Sequence, residues 1–432
     1  MPISLHAYIL GYARRRTRGA RPLANYAVPR LKSTTIYRPS GTNNMTEKRF
    51  KRRLQRYPAV SDLRRLTRKR LPHIAWEYLD CGTGDERAVA RNLERMAEVT
   101  LAPVFMRGEL KPDLTTKLFG RTYSVPFGVS PVGLTGLMWP RAEFILAATA
   151  AKYRFPYCLS TVATQSPESV GPLVGDMGWF QLYPPRRREI RDDLLKRAMD
   201  AGFHTLVVTA DVPVGSRRER TSRAGLETPP RITAGFVYEA LMHPTWTIQT
   251  LLAGLPRLRA IEKYADSKQM GEVASYVGQE LGGTLDWDYI REARDLWDGP
   301  VIVKGILHPD DAERAIETGV DGIQVSNHGA RQFDGTLAAI DALAPIVRQV
   351  NGRARILFDS GVRTGLDIIR ALSLGADFVL LGRAFMYGVG AFGKTGGDHA
   401  FEILKADLEV NMANLGCASV DEIPEPVQPE TT

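Results

Sequence analysis

The chain has 432 residues, 57 basic and 48 acidic side chains and three cysteines. It contains no run near the roughly 18 consecutive apolar residues of a membrane-spanning helix, and Cys81, Cys158 and Cys417 are too widely spaced for a metal or redox pair, so no metal site and a reducing, cytoplasmic setting are expected. The net charge of +9 suggests nucleic acid only until it is located: residues 71–432 hold 38 bases against 46 acids, and an acidic body argues against a nucleic-acid partner.

The excess base lies at the start. Residues 1–46 hold eight Lys or Arg and no acid, and residues 47–70 hold eleven bases against Glu47 and Asp62. Residues 1–46 read as a disordered tail or as an upstream start preceding Met45; with Arg14-Arg15-Arg16 and scattered Ser and Thr, a transit peptide is the alternative. Residues 47–420 are expected to form one domain, followed by a tail over 421–432.

From about residue 122, short Val, Ile, Leu and Phe-rich runs alternate with helical patterns, which is how parallel strands buried under helices are written. The expected strands are 126–130, 157–160, 178–182, 205–209, 300–303, 322–326, 355–358 and 378–381. The expected helices are 141–152, 166–174, 187–201, 286–297, 309–318, 336–350, 364–374 and one near 397–414. Eight successive β/α units predict an α/β protein of the (β/α)8 TIM barrel type. Residues 212–285 interrupt the rhythm with a long insertion after the fourth strand, far beyond an ordinary barrel loop. Its apolar stretch Phe236-Val-Tyr-Glu-Ala-Leu-Met242, with Trp246, Leu251 and Leu252, predicts a lid, a membrane-surface contact or a helix covering the barrel.

Barrel chemistry sits at the carboxyl ends of the strands. The polar residues there are Ser160, Gln181, Tyr183, Thr209, Asp211, Lys304, Ser326, His328, Arg331, Asp359, Arg363 and Arg383, with Arg218 further on. The densest stretch is Ser326-Asn-His-Gly-Ala-Arg-Gln332, where a proton acceptor stands three residues from a fixed cation. That pairing suits oxidation of the α-carbon of an anionic hydroxy acid.

Ser-Asn-His-Gly-x-Arg-Gln, Asp359-Ser-Gly-Val-Arg363 and Leu381-Gly-Arg383, in this order and spacing, resemble the FMN-dependent (S)-2-hydroxy-acid oxidising enzymes, over roughly residues 55–420. The resemblance implies FMN as cofactor. It implies that Pro131, Val132, Gly133, Ser160, Gln181, Thr209 and Ser326 lie along the flavin, that Lys304 serves its N1 and O2 edge, and that Asp359, Gly361, Arg363, Gly382 and Arg383 hold its ribityl phosphate side. On the substrate side it implies Arg218 and Arg331 as the carboxylate clamp, Tyr78 and Tyr183 as active-site tyrosines, Val162 on the pocket wall, His328 as base and Asp211 as its partner. Through Tyr78, which precedes the barrel, it implies N-terminal helices over the barrel mouth. A homotetramer is implied as well.

Three departures stand out, the first two of them apolar changes beside the histidine that are expected to alter packing rather than activity. Ala330 stands where many members carry glycine, and Phe333 where leucine is usual. Pro131-Val-Gly133 resembles the membrane-associated dehydrogenases rather than the Pro-Thr-Ala oxidases, which predicts electron transfer to quinone or a cytochrome, with oxygen as the alternative. Gly133 and Val162 together suggest room beyond a two-carbon acid, with L-lactate first and a larger acid such as mandelate second. Peripheral contact with the inner membrane face fits this reading. A non-redox FMN barrel or an inactive binding protein should lack part of the Tyr78, Arg218, His328 and Arg331 set, and all four are present.

Overall fold

The computed structural model describes residues 44–226, 233–265, 270–281 and 285–427; the expected basic tail lies outside these but for its last three residues, as does the end of the C-terminal tail. The chain divides into two compact units, Met1–Arg49 and Phe50–Thr432, and the second contains the barrel.

Eight parallel strands close into the expected barrel: β3 Phe127–Val129, β4 Tyr157–Ser160, β5 Gly178–Leu182, β6 Thr205–Thr209, β7 Val301–Ile306, β8 Gly322–Val325, β9 Arg355–Phe358 and β10 Phe378–Leu381, with β10 returning to β3. Nearly every strand residue is buried, since helices cover the outside and side chains fill the inside. A short antiparallel hairpin, β1 Thr116–Leu118 and β2 Arg121–Tyr123, precedes the barrel and is not among the expected elements. Tyr123 packs against Trp179 and Phe378, at or beside the amino-terminal starts of β5 and β10, and its hydroxyl accepts from Trp179 Nε1 at 3.3 Å. The hairpin therefore fills the amino end of the barrel, and the carboxyl end is the one left for a ligand.

The barrel helices match the expected spans within a few residues; beyond them lie the short helices Thr135–Met138 and Glu219–Arg223 and a longer one, Arg383–Phe392, directly after β10. Its sequence follows β10 without a loop and carries two glycines, which are poor helix formers, so local propensity does not reveal it. It is buried between helices Val60–Arg70 and Gly396–Leu415, and the glycines permit that approach. A Cβ at Gly388 would stand 2.4 Å from the Gly396 carbonyl oxygen, and one at Gly390 2.4 Å from Thr67 Cγ2.

The insertion folds in two parts. Helices Ala234–Met242 and Pro244–Ala253 are tied to the barrel by the buried Trp246, whose Nε1 donates to the Leu137 carbonyl at 3.1 Å. Their other faces stay in solvent, with Leu241, Leu251 and Leu252 each 73% exposed, so a covering helix describes only one side of them. Helix Met270–Glu280 instead joins the barrel mouth. Glu280 accepts the Arg187 backbone N–H at 2.6 Å and its Nε at 3.3 Å, and the Glu280 carbonyl accepts from the Arg186 backbone at 2.9 Å.

Candidate active site

A cavity of about 480 Å³ opens at the carboxyl ends of the strands. His328 reaches it from the loop after β8 through three successive left-handed residues: His328, Gly329 and Ala330 have φ of 58°, 63° and 60°. Such a conformation costs non-glycine residues about 1–2 kcal/mol each, and hydrogen bonds hold it. The His328 N–H donates to Ser326 Oγ at 3.0 Å, the Asn327 and Gly329 N–H groups to Ser360 Oγ at 3.2 and 3.0 Å, and Asn327 exchanges amide bonds with Asn92. These bonds fix the ring at the cavity wall.

The imidazole is held at both nitrogens. Nδ1 lies 2.7 Å from Asp211 Oδ1, and Nε2 lies 3.3 Å from the Tyr183 hydroxyl. Burial alone would raise the Asp211 pKa, but His328 and Lys304 pull it down to about 2. An ionised carboxylate only accepts, which puts the ring proton on Nδ1 and leaves Nε2 as a base facing Tyr183 and the cavity. Burial pushes His328 below the ordinary histidine value against the opposing pull of Asp211, and Lys304 pushes the same way, so the neutral ring is favoured. Gly305 makes the Asp211 position possible: its φ is 105° at a register shift in β7, and a Cβ there would stand 2.5 Å from Asp211 Cβ.

Lys304 forms the floor. Its ammonium donates to Asp211 Oδ2 at 3.3 Å and Ser326 Oγ at 3.0 Å and lies 3.8 Å from Asp359 Oδ2. Burial would lower its pKa, but the two carboxylates hold it above the ordinary lysine value. Beneath, Ser160 donates to Gln181 at 2.8 Å and Gln181 to Thr209 at 2.9 Å. Ser160, Gln181, Thr209, Ser326 and Asp211 sit behind the cavity wall, bonded to one another or to Lys304 and His328; every other expected site residue lines the cavity.

All four arginines expected at the site converge there. Arg331 donates to the carbonyls of Cys81 (2.7 Å) and Tyr78 (2.9 Å), and its guanidinium lies 5.2 Å from the Tyr78 ring centroid. Arg383 donates to the carbonyls of Leu79, Gly329 and Cys81, and Arg363 to that of Val362. Arg218 bonds Ser216, the Arg331 carbonyl and Gln332. Among the described residues none of the four bonds a carboxylate. Burial, then Arg331 and Arg363, brings the Arg383 pKa down to about 10, and burial with Arg331 lowers Arg218. Crowded guanidiniums with no bonded carboxylate are a receptor for anions.

The supposed room beside Gly133 is already used. A Cβ at 133 would stand 2.6 Å from Val162 Cγ2, so valine occupies the space that glycine vacates. The cavity also includes residues not expected from the sequence: Met138, Arg186 and Ser360, and Val277, Gly278 and Leu281 from the helix of the insertion and the residue just beyond it. Ser360 could have been suspected, since it lies inside Asp359-Ser-Gly-Val-Arg363; the insertion residues carry no local signal. No cluster of metal-ligating side chains occurs among the described residues.

A closed β/α barrel with a histidine–aspartate pair over a buried lysine, beside a carboxylate-free arginine cluster, defines an oxidoreductase that seats an anionic cofactor and an anionic substrate together. The comparisons with known proteins agree. The model of the family described as FMN-dependent dehydrogenase matches residues 67–428. The L-lactate dehydrogenase of Ectopseudomonas mendocina (strain ymp) is 38% identical over 367 residues, covering 84% of this chain and 97% of that protein, and that of Alcaligenes faecalis is 37% identical over 365 residues, covering 84% and 96%. Among solved structures, the monotopic membrane protein (S)-mandelate dehydrogenase has TM-score 0.81 at 35% identity over 85% of this chain and 97% of that one. Mandelate oxidase has TM-score 0.74 at 31% identity, over 86% and 98%. The chain belongs to the FMN-dependent dehydrogenase family. The donor set fits the cofactor: Arg363 and Arg383, whose hydrogen bonds among the described residues go to carbonyls, would offer charge to a phosphate, and Lys304 would offer a buried cation to the ring edge.

Proposed function

We propose that this enzyme oxidises an (S)-2-hydroxy acid, L-lactate first, to the 2-oxo acid. The observation that carries the reading is the neutral His328 Nε2 facing the same cavity as Arg218 and Arg331. The two guanidiniums bind the substrate carboxylate, Tyr78 and Tyr183 hydrogen-bond the substrate oxygens, and His328 takes its proton while Asp211 steadies the imidazolium. Bound along Pro131, Val132, Gly133 and Lys304, with its phosphate at Gly361, Arg363, Gly382 and Arg383, FMN supplies the two-electron acceptor. Ser160, Gln181, Thr209, Ser326 and Asp359 brace that surface from behind or beside it. Val162, Met138 and Leu281 offer an apolar wall to the substrate's side chain. The test is anaerobic bleaching of the purified yellow protein with a panel of 2-hydroxy acids. L-lactate should bleach it; a yellow spectrum unmoved by every acid would refute the reading.

Quinone or a cytochrome is the proposed acceptor and a homotetramer the proposed assembly, both taken from the family resemblance. Among the described residues no helix is long and apolar enough to cross a membrane. The exposed faces of Ala234–Met242 and Pro244–Ala253, with Tyr238, Leu241, Ile248, Leu251 and Leu252, support peripheral contact instead. Leu251→Glu with Leu252→Glu is expected to move the protein from vesicle-bound to free in a flotation assay without changing turnover with a soluble dye. Equal flotation of the variant and the parent would rule that contact out.

A further inference from the structure

We propose that Arg220 is a positioning residue that fastens the segment bearing Arg218 to the segment bearing Tyr78 and so sets the carboxylate-binding geometry; this rests on the hydroxy-acid reading of the site. All three nitrogen groups of Arg220 are engaged. Nη1 donates to both Glu86 oxygens at 3.0 Å, Nη2 to Asp80 Oδ2 at 3.4 Å, and Nε to Glu77 Oε2 at 2.5 Å. The three carboxylates all lie between residues 77 and 86.

The neighbours of Arg220 make the same connection. Glu219 Oε2 accepts the Gly84 N–H at 2.9 Å, and Thr221 Oγ1 lies 3.1 Å from Cys81 Sγ. Three consecutive residues thus grip one short stretch, immediately after Arg218, whose φ of 34° is left-handed. A strained arginine holds its conformation only where its surroundings fix it. The gripped stretch also supplies the Tyr78, Leu79 and Cys81 carbonyls that orient Arg331 and Arg383. Charge agrees with geometry: Arg64 and Arg220 face Glu77, Asp80 and Glu86, leaving one surplus negative charge beside two arginines that bond no carboxylate, and Asp80 feels Arg383 directly. Arg220 itself does not line the cavity, so it acts through the groups it holds.

A purely structural role would be shared by Arg64, which donates to the same Asp80 at 2.7 and 2.8 Å without touching residues 218–221. The flavin-loaded Arg220→Gln, Arg220→Lys and Arg64→Gln proteins are titrated with oxalate, read by the change in flavin absorbance, and assayed for KM and kcat. Arg220→Gln is expected to weaken oxalate binding and raise KM by about tenfold or more, with a smaller change in kcat, because an ångström of misplacement is costly at a positioned clamp. Arg220→Lys should recover part of this, since it keeps the charge and loses the fork. Arg64→Gln should stay within about twofold of the parent, because Asp80 keeps Tyr387 and Arg220 as hydrogen-bond partners and Arg220 keeps Glu77 and Glu86. Parent-like oxalate binding in Arg220→Gln, or equal weakening in Arg64→Gln, overturns the proposal. If Arg220→Gln does not fold, Arg220→Lys and Glu86→Gln decide it, and parent-like binding in both overturns it. A parent protein that binds no oxalate and bleaches with no hydroxy acid sinks the hydroxy-acid reading itself, an outcome distinct from either.

Discussion

Replacing His328 by glutamine is expected to leave the protein yellow and to slow anaerobic flavin bleaching by about a thousandfold, the scale on which a positioned general base acts. Glutamine can still accept from Tyr183 and stay near Asp211, but its amide has no basic nitrogen. The imidazole touches Asp211 and Tyr183 and none of the phosphate-side arginines, so cofactor retention should be unaffected. The pH profile gives an independent check. Burial lowers the histidine's pKa, so the base is neutral at pH 7, and kcat/KM should be flat there and fall on acidification with a midpoint below the ordinary value of about 6.5. Asp211 acts in the opposite direction, so Asp211→Asn should shift that midpoint further down as well as slow reduction. Bleaching of His328→Gln at near-parental rate, or an acid limb above the ordinary histidine value, would remove His328 from the mechanism.

Lys304→Met should be the most destabilising single change in the site. The ammonium is 3% exposed and lies among Asp211, Ser326 and Asp359. Methionine fills its volume and leaves two buried carboxylates without their cation, a loss of about 3–5 kcal/mol. The sign of the pH effect follows from Asp211, whose pKa of about 2 lies below the unfolded value of about 3.9. Its contribution to stability is present above the unfolded value and is lost as pH falls through the folded one. Without Lys304 the folded pKa rises toward the unfolded value and that contribution shrinks at neutral pH. A lower melting temperature and a reduced flavin content are the expected readings. An unchanged melting temperature with full flavin would show that Lys304 is not the counter-ion of the floor.

Much of the architecture is legible in the chain because parallel strands and their covering helices write themselves locally. Apolar runs such as Thr205–Thr209, alternating with amphipathic helices, foretell the barrel, and the site motifs fall next to the strand ends they serve. The helix Arg383–Phe392 escapes such a reading because it starts at the very end of β10 and carries two glycines, so neither a loop nor helix propensity sets it apart. The hairpin Thr116–Tyr123 escapes it because three-residue strands carry too few alternations to count. Residues expected along the flavin divide in two for a related reason: along a barrel strand the last inward side chains lie under the floor, as Gln181 and Thr209 do, while those a residue or two later reach the cavity, as Tyr183 does.

Read in chain order, the residues suffice for the succession of strands and helices, for the motifs that set His328, Lys304 and the arginines next to strand ends, and for the apolar character of the insertion. Folding in three dimensions adds that four guanidiniums share one space with none of them bonded to a carboxylate among the described residues, that Val162 takes the volume Gly133 leaves, that the helix Met270–Glu280 walls the cavity, and that Arg220 binds three acids from another segment. The division has a physical cause. Backbone periodicity and strand-end position are properties of neighbours in the chain, whereas charge balance, free volume and long-range ion pairs depend on side chains far apart in sequence, brought together only when the barrel closes.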